Sequence, residues 1–297
     1  MAPRRPRPPP AERAMSSRPQ PKPRDDEIDF YGLTHAGKVR PANEDHFLIC
    51  ALRRQAVVLQ SSLPDAALGS RTDRVALMAM VADGVGGAAA GDEASRLAVE
   101  AVTAYVTDSM ACYYRAGEPD EAFAAALERA AMQCHASLVA RAAADPRLRG
   151  MATTLTLWLG VWPRAYLLQV GDSRCYRLRD GVLTQLSRDQ TVAQVLVDSG
   201  VFPRVEAAHP RLAHTLSSAI GGPDTEPRVT HLTQQWGDVG LLCSDGLTRH
   251  VPDARIRERL ATLGSARAMC EALVQDALDG GGRDNITAVV GRTAAPA

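Results

Sequence analysis

Four short acidic motifs are spread along this chain, and their positions beside predicted strands constrain how the chain can fold. They are Asn43-Glu44-Asp45, the segment 81–87 (Val-Ala-Asp-Gly-Val-Gly-Gly), Ser244-Asp245-Gly246 and Gly282-Arg283-Asp284-Asn285. In three of them an Asp stands at the end of an apolar run that is typical of a β-strand. Carboxylates that a fold gathers at strand ends repel one another unless a cation lies between them. The pattern therefore predicts a site for hard divalent ions such as Mg²⁺ or Mn²⁺, which prefer oxygen ligands.

Each motif taken alone has a second interpretation. Asp83-Gly84 and Asp245-Gly246 are both compatible with a tight hairpin turn, which the Asp-Gly pair favours. In the metal interpretation, the Asp bridges cations and the following Gly allows its own carbonyl to approach one of them. Arg40 is a natural bidentate partner for phosphate, but an Arg near acidic residues is more often part of a surface ion pair.

The composition argues against several classes of protein. The 34 basic and 34 acidic residues give a formal net charge of zero, which disfavours a general nucleic-acid binder. We expect no membrane span, because no apolar run reaches roughly 18 residues, and no signal peptide. The six cysteines include no C-x-x-C pair, so they predict reduced core residues in a cytoplasmic protein rather than a zinc site.

The chain divides into a tail and one globular domain. Residues 1–26 contain eight Pro, seven basic and three acidic residues, and we predict a disordered, partly polyproline tail. This tail is either a solvated leader or a docking arm for a partner. Residues 27–293 are predicted to form the domain, with an irregular surface insertion at about 201–222 and a hairpin loop at 60–72.

Hydrophobic periodicity predicts a mixture of strands and helices. Strands are predicted at 30–33, 47–52, 75–82, 153–158, 165–170, 174–178, 229–232, 239–243 and 286–290. Helices are predicted at 93–105, 122–143, 190–199, 253–262 and 266–278. Many strands, with two helices early and two late, predict an α+β fold in which two antiparallel sheets pack face to face with helices outside.

In this order the motifs resemble the metal-dependent Ser/Thr protein phosphatase family, the protein phosphatase 2C type, in its bacterial form. The resemblance extends from about residue 29 to 290. It is carried by six short segments: 40–45, 81–87, 152–154, 170–174, 243–247 and 284–287. It implies a four-layer αββα sandwich, and an enzyme that hydrolyses phosphoserine and phosphothreonine in proteins. It also implies a binuclear Mn²⁺ or Mg²⁺ centre with a metal-bridging hydroxide as nucleophile. A Ser/Thr kinase would be the opposing partner, and a monomer is the default expectation.

The resemblance also implies ligands for the ions. Asp83 would bridge the two cations, with the Gly84 carbonyl on one of them. Asp245 and Asp284 would complete the coordination of the other. Asp45 would lie among the ligands or next to them.

Three further roles follow from the same resemblance. Glu44 would contact a cation through water. Asp172, together with Asp245, would hold a third ion. Arg40 would bind the substrate phosphate.

Two residues depart from the family pattern. Val85 stands where some eukaryotic members carry a His proposed as general acid. Gln190 stands where a His is usual, close to the insertion that resembles the family's mobile flap.

A pseudo-phosphatase acting as a regulatory binding module would need a missing ligand, and Asp83, Asp245 and Asp284 are all present. An unrelated carboxylate metalloenzyme, such as a phosphodiesterase, would usually mix His with Asp.

Overall fold

The computed structural model describes residues 21–55, 72–109, 120–205 and 209–293. The predicted hairpin loop at 60–72 lies outside these residues except for Thr72. Residues 1–20 of the predicted tail also lie outside them.

Eleven strands are present in the described part of the chain. Their bounds are β1 (Ile28–His35), β2 (Asp45–Gln55), β3 (Thr72–Val85), β4 (Ala152–Thr153), β5 (Leu155–Val161), β6 (Arg164–Val170), β7 (Arg174–Arg179), β8 (Val182–Gln185), β9 (Arg228–Thr233), β10 (Val239–Cys243) and β11 (Ile286–Thr293). They form a five-stranded sheet, in the order β1-β11-β10-β7-β8, and a six-stranded sheet, in the order β2-β3-β5-β6-β9 with β4 paired to β3. Neighbouring strands in both sheets are antiparallel.

Seven α-helices accompany the sheets within the same residues. Their bounds are α1 (Ala88–Ser109), α2 (Asp120–Ala144), α3 (Val192–Asp198), α4 (Pro210–Ala213), α5 (Asp245–Thr248), α6 (Asp253–Thr262) and α7 (Ala266–Asp279). Helices α1 and α2 cover the six-stranded sheet, whereas α6 and α7 cover the five-stranded sheet. The layers are therefore helix, sheet, sheet, helix, as the sequence predicted.

Strand β3 shows why the sheets are buried on both faces. Because side chains alternate along a strand, Ala76, Met78 and Met80 face α1 and α2 in one apolar cluster. Ala79 and Val81 face the other sheet and belong to the cluster between the two sheets. This alternation buries β3 on both faces.

One strand is missing from the sequence prediction. β8 pairs with β7 through a two-residue turn at Asp180 and Gly181, both of which have positive φ, of 50° and 75°. This backbone conformation matches the type I′ hairpin that Asp-Gly favours. Val182 and Thr184 lie exposed at this sheet edge, so the run carries little apolar signal.

The end of the predicted tail and the predicted insertion are both partly described. Residues 21–26 contact the sandwich; the Trp236 indole N–H, for example, donates to the Pro21 carbonyl oxygen at 3.0 Å. The described part of 201–222 contains α4 and irregular backbone. None of the helices in the described ranges combines the length and the apolar character that a membrane crossing requires.

Candidate active site

Two of the predicted ligands lie side by side at one end of the six-stranded sheet. β2 begins at Asp45, which pairs directly with Asp83 in the antiparallel ladder. β3 continues beyond Asp83, because Gly84 and Val85 pair with β4. Asp83-Gly84 is therefore part of a strand, and the hairpin-turn interpretation of this motif is excluded.

The five-stranded sheet brings its acidic motifs to a common end. β10 ends at Cys243, which pairs with the first residue of β7 and with a residue near the start of β11. Asp245 follows β10 and opens α5, whereas Asp284 closely precedes β11. Asp245-Gly246 is therefore the start of a helical turn and not a hairpin.

Asp45 is buried, and only one of its two carboxylate oxygens has hydrogen-bond partners in the described part of the chain. One carboxylate oxygen, Oδ2, accepts hydrogen bonds from the hydroxyls of Ser244 and Thr287, each at 2.7 Å. The other, Oδ1, is buried and has no hydrogen-bond partner among the described residues. Burial is the main reason that the pKa of Asp45 is raised to about 7. A buried, unpartnered carboxylate oxygen is costly, and a divalent cation would satisfy it.

The backbone around Asp83 is fixed on both sides. Its N–H donates to Thr154 Oγ1 at 3.0 Å, and its carbonyl accepts from the Thr154 N–H and the Thr153 hydroxyl, both at 2.9 Å. Thr154 Oγ1 in turn lies 2.8 Å from Ser173 Oγ. Burial and the neighbouring charge of Asp45 hold the pKa of Asp83 well above its ordinary value. The carboxylate is thus held rigidly where another negative charge disfavours its ionisation.

Two glycines let α1 approach this strand. A Cβ on Gly84 would overlap the carbonyl oxygen of Gly91, and a Cβ on Gly91 would overlap the carboxylate of Glu44. The Gly84 N–H also donates to the Glu44 carbonyl at 3.2 Å. Glu44 is mostly buried by this close packing, and burial raises its pKa.

Two arginines meet the carboxylates of the five-stranded sheet. Arg40 forms a bidentate pair with Asp284, at 2.8 Å from Nε to Oδ1 and 2.9 Å from Nη2 to Oδ2. Arg249 bridges Asp245 and Asp284, donating to Asp284 Oδ2 at 2.8 Å. Burial raises the pKa of Asp245 to about 6, and the charge of Arg249 opposes that rise.

Asn285 ties the loop that carries Arg40 to the start of β11. Its side-chain amide donates to the carbonyls of Ala36 and Ala42, each at 2.9 Å. Its Oδ1 accepts the Glu44 N–H at 2.9 Å. A single buried side chain therefore positions the loop on both sides of Arg40.

Asp172 lies in the turn between β6 and β7, and Gln190 connects this turn to the predicted insertion. The Gln190 side chain accepts the Gly171 N–H at 2.7 Å and donates to the Glu226 carbonyl at 2.8 Å. Its backbone carbonyl accepts the Ser217 N–H at 2.9 Å. Asp172 is buried, and burial together with the charge of Asp245 holds its pKa well above the usual range.

These residues form the floor of a cleft of about 1210 Å³. Arg40, Glu44, Asp83, Asp172, Asp245, Arg249 and Asp284 line it, and residues 214–219 of the insertion form part of its wall. Asp45 lies behind Asp83 and does not line the cleft. As the side chains stand, no group of three or more His, Cys, Asp or Glu residues in the described ranges is arranged to hold a metal ion. Asp245 and Asp284 are instead oriented toward the two arginines.

Sequence reasoning missed three contributors to this site. Ser244 and Thr287 lie inside recognised motifs, but their hydrogen bonds to Asp45 depend on how the two sheets are positioned over each other. Arg249 follows Asp245 by one helical turn, and this i,i+4 spacing of opposite charges was a usable signal.

Without divalent ions we expect the folded state to lose stability as the pH rises from about 4 to 7. The pKa of Asp45 is raised to about 7 and that of Asp245 to about 6, above the roughly 4 of an unfolded Asp. Stabilisation by the bound protons is therefore complete at low pH and is lost as the pH rises through the folded-state values. Urea unfolding in EDTA at pH 5 and pH 7.5 measures this loss.

Asp45→Asn supplies the comparison, because the amide is neutral at both pH values. The variant should lose less stability than the unmodified chain between pH 5 and pH 7.5. Equal losses in the two proteins would contradict the assignment of the titration to this cluster.

Comparison with known proteins agrees with the geometry. The sequence profile described as Protein phosphatase 2C matches residues 56–280. The chain belongs to the protein phosphatase 2C family. The Serine/threonine phosphatase stp of Listeria innocua is 32% identical over 213 residues, which cover 71% of this chain and 82% of the relative.

Mycobacterial members of the protein phosphatase 2C family are also similar. The serine/threonine protein phosphatase PstP of Mycobacterium tuberculosis is 40% identical over 211 residues, or 71% of this chain. The match spans only 39% of that longer relative. A crystal structure of the same enzyme superposes with a TM-score of 0.71 at 34% identity, covering 90% of this chain and 99% of the other. A structure of a PstP catalytic domain in complex with two manganese ions gives a TM-score of 0.68 at 34% identity, and the match covers 90% of this chain and 98% of that domain.

Proposed function

We propose that the protein is a metal-dependent phosphatase that hydrolyses phosphoserine and phosphothreonine in proteins. The observation that carries this proposal is the convergence of strand-end aspartates from two sheets beneath a cleft that Arg40 also lines. The manganese complex of the related PstP domain supports two divalent cations as the cofactor.

The chemistry of the donor set fits divalent cations. Asp45 Oδ1 is buried without a hydrogen-bond partner among the described residues, and burial with neighbouring negative charge raises the pKa values of Asp83 and Asp172, so a cation would stabilise these carboxylates. We assign Asp83, the Gly84 carbonyl, Asp245 and Asp284 as ligands of two ions. Asp45 and, through water, Glu44 support them. Asp172 with Asp245 would hold a third ion.

The chain's own residues then bind and orient the substrate. The Arg40 guanidinium is half exposed at the cleft, and its Nε and Nη2 pair with Asp284. The remaining N–H groups on Nη1 and Nη2 would donate to two oxygens of a phosphoryl group. Asn285 holds the Arg40 loop against β11, so the phosphorus is fixed relative to Asp83. When bound, the two cations supply an activated water nucleophile and neutralise charge on the phosphoryl oxygens.

The residue at position 85, where some eukaryotic members carry a His, lies beside the cleft. Val85 is 42% exposed beside the cleft and offers no proton donor. Protonation of the leaving Ser or Thr oxygen therefore comes from water or from another group in the cleft, not from the side chain at position 85.

The test is hydrolysis of p-nitrophenyl phosphate and of a phosphothreonine peptide by the full chain. We expect activity with Mn²⁺ that EDTA removes and that added Mn²⁺ restores. Full activity in EDTA would overturn the metal-dependent mechanism. Tight Mn²⁺ binding without hydrolysis would indicate a pseudo-phosphatase that acts as a binding module.

We further propose that the enzyme opposes a Ser/Thr protein kinase in the cytoplasm and acts as a monomer. The five cysteines in the described part of the chain are free thiols, which supports a reducing compartment. Phosphoproteomics of a deletion strain would identify the substrates, and sites that gain phosphate should also depend on the kinase.

A further inference from the structure

Arg249 is a cationic side chain built into the acidic end of the sandwich. It caps the C-terminal end of α5, one turn after Asp245. Its guanidinium pairs with Asp245 through one terminal nitrogen and with Asp284 Oδ2, at 2.8 Å, through the other. Its side chain is 30% exposed and lines the cleft.

The two arginines of the cleft differ in what they neutralise. Arg40 contacts only Asp284 of the two carboxylates, and its side chain is 48% exposed at the cleft. Arg249 is less exposed, and it is the arginine that bridges both carboxylates. It joins two of the side chains that the proposed function assigns as ligands of the divalent cations.

A guanidinium and a divalent cation make opposing demands on these carboxylates. The guanidinium turns their oxygens toward its N–H groups, whereas a cation requires the same lone pairs to converge on one point. This opposition agrees with the finding that the described His, Cys, Asp and Glu side chains do not yet converge on an ion. A positive charge in contact with both ligands also repels an incoming cation.

We propose that Arg249 is an intrinsic competitor of the divalent cation held by Asp245 and Asp284. It neutralises these carboxylates in the metal-free protein and must release them when the ion binds. The proposal rests on the proposed metal centre. It implies that Arg249 raises the ion concentration at which the enzyme becomes active, while protecting the metal-free fold from carboxylate repulsion.

Isothermal titration calorimetry of Mn²⁺ into the full-length, metal-free protein tests this proposal. Arg249→Gln removes the charge and keeps a long polar side chain, so we expect its affinity for Mn²⁺ to be about tenfold higher than that of the unmodified protein. Arg249→Lys keeps the charge and should stay within about threefold of the unmodified protein. Arg249→Met provides a second neutral side chain in case the Gln variant folds poorly.

Arg283→Gln is the matched control for net charge. Its side chain is exposed near the same end of the sandwich but does not line the cleft. It should leave the Mn²⁺ affinity within about twofold of the unmodified protein. If Arg283→Gln raised the Mn²⁺ affinity as much as Arg249→Gln, the effect would come from net charge alone, and the proposal would be overturned.

Thermal unfolding gives a readout that does not depend on turnover. In EDTA, Arg249→Gln should unfold at a lower temperature than the unmodified protein, and saturating Mn²⁺ should raise its unfolding temperature by a larger increment. Unchanged or weaker Mn²⁺ binding in both neutral variants would show that Arg249 positions the ligands instead of competing for them. Absence of Mn²⁺ binding in the unmodified protein would instead refute the proposed metal centre itself.

Discussion

Asp83→Asn should lower kcat/KM for a phosphothreonine peptide by on the order of 1000-fold, equivalent to about 4 kcal/mol of transition-state stabilisation. Asp83 is the central carboxylate of the proposed centre, beside Asp45 and in the field of Asp172, Asp245 and Asp284. An amide of the same shape retains the packing but removes the charge that would hold two cations together. The loss should appear in kcat and in Mn²⁺ affinity.

The same substitution should not unfold the protein. Its raised pKa shows that ionised Asp83 is unfavourable in the metal-free fold, so the neutral amide should keep or raise the unfolding temperature in EDTA. Asp279→Asn, at the exposed end of α7, is the matched control and should retain full activity. Retention of more than a tenth of the activity by Asp83→Asn would remove this residue from the metal centre.

Arg40→Ala should raise KM and lower kcat/KM by roughly 10- to 100-fold, the range expected for losing charge-assisted hydrogen bonds to a phosphate. Arg40→Lys should recover only part of this loss, because an ammonium group cannot form the planar two-point contact of a guanidinium. Inhibition by inorganic phosphate, measured in parallel, should weaken by a similar factor, since the product binds through the same group.

Arg283→Ala is the control for Arg40, because it removes a positive charge from the loop that also carries Asp284. Its kinetic constants should stay within about twofold of those of the unmodified enzyme. If Arg40→Ala changes neither KM nor phosphate inhibition, then Arg40 serves only to pair with Asp284.

The layer order and most strands could be predicted because their signals are local. The alternation in β3 and the apolar run of β10 each specify a buried strand without knowledge of their partners. The early and late placement of the long helices then restricted the layers to the observed order. β8 was missed because half of its four side chains face solvent at a sheet edge, where no apolar pattern is required.

The site could be predicted as far as its carboxylates and Arg40. Asp83, Asp245 and Asp284 follow or precede apolar runs, so each position was visible in the sequence. The hydrogen bonds from Ser244 and Thr287 to Asp45 link residues 199 and 242 positions apart, and they depend on how one sheet is placed over the other. The bridging contact of Arg249 required the relative positions of α5 and β11, which no local pattern specifies.

The hydrogen bonds of Asp45 have a mechanical consequence. Asp45 belongs to one sheet, while Thr287 lies in the other and Ser244 directly follows strand β10 of that other sheet, so these bonds fasten the two halves of the sandwich at the end that holds the proposed metal site. The spacing of the proposed metal ligands therefore depends on the packing in the seam between the two sheets, where Val81, Leu242 and Val289 lie. We therefore expect substitutions in that seam to change the spacing of the proposed ligands, and with it the activity, without altering any ligand.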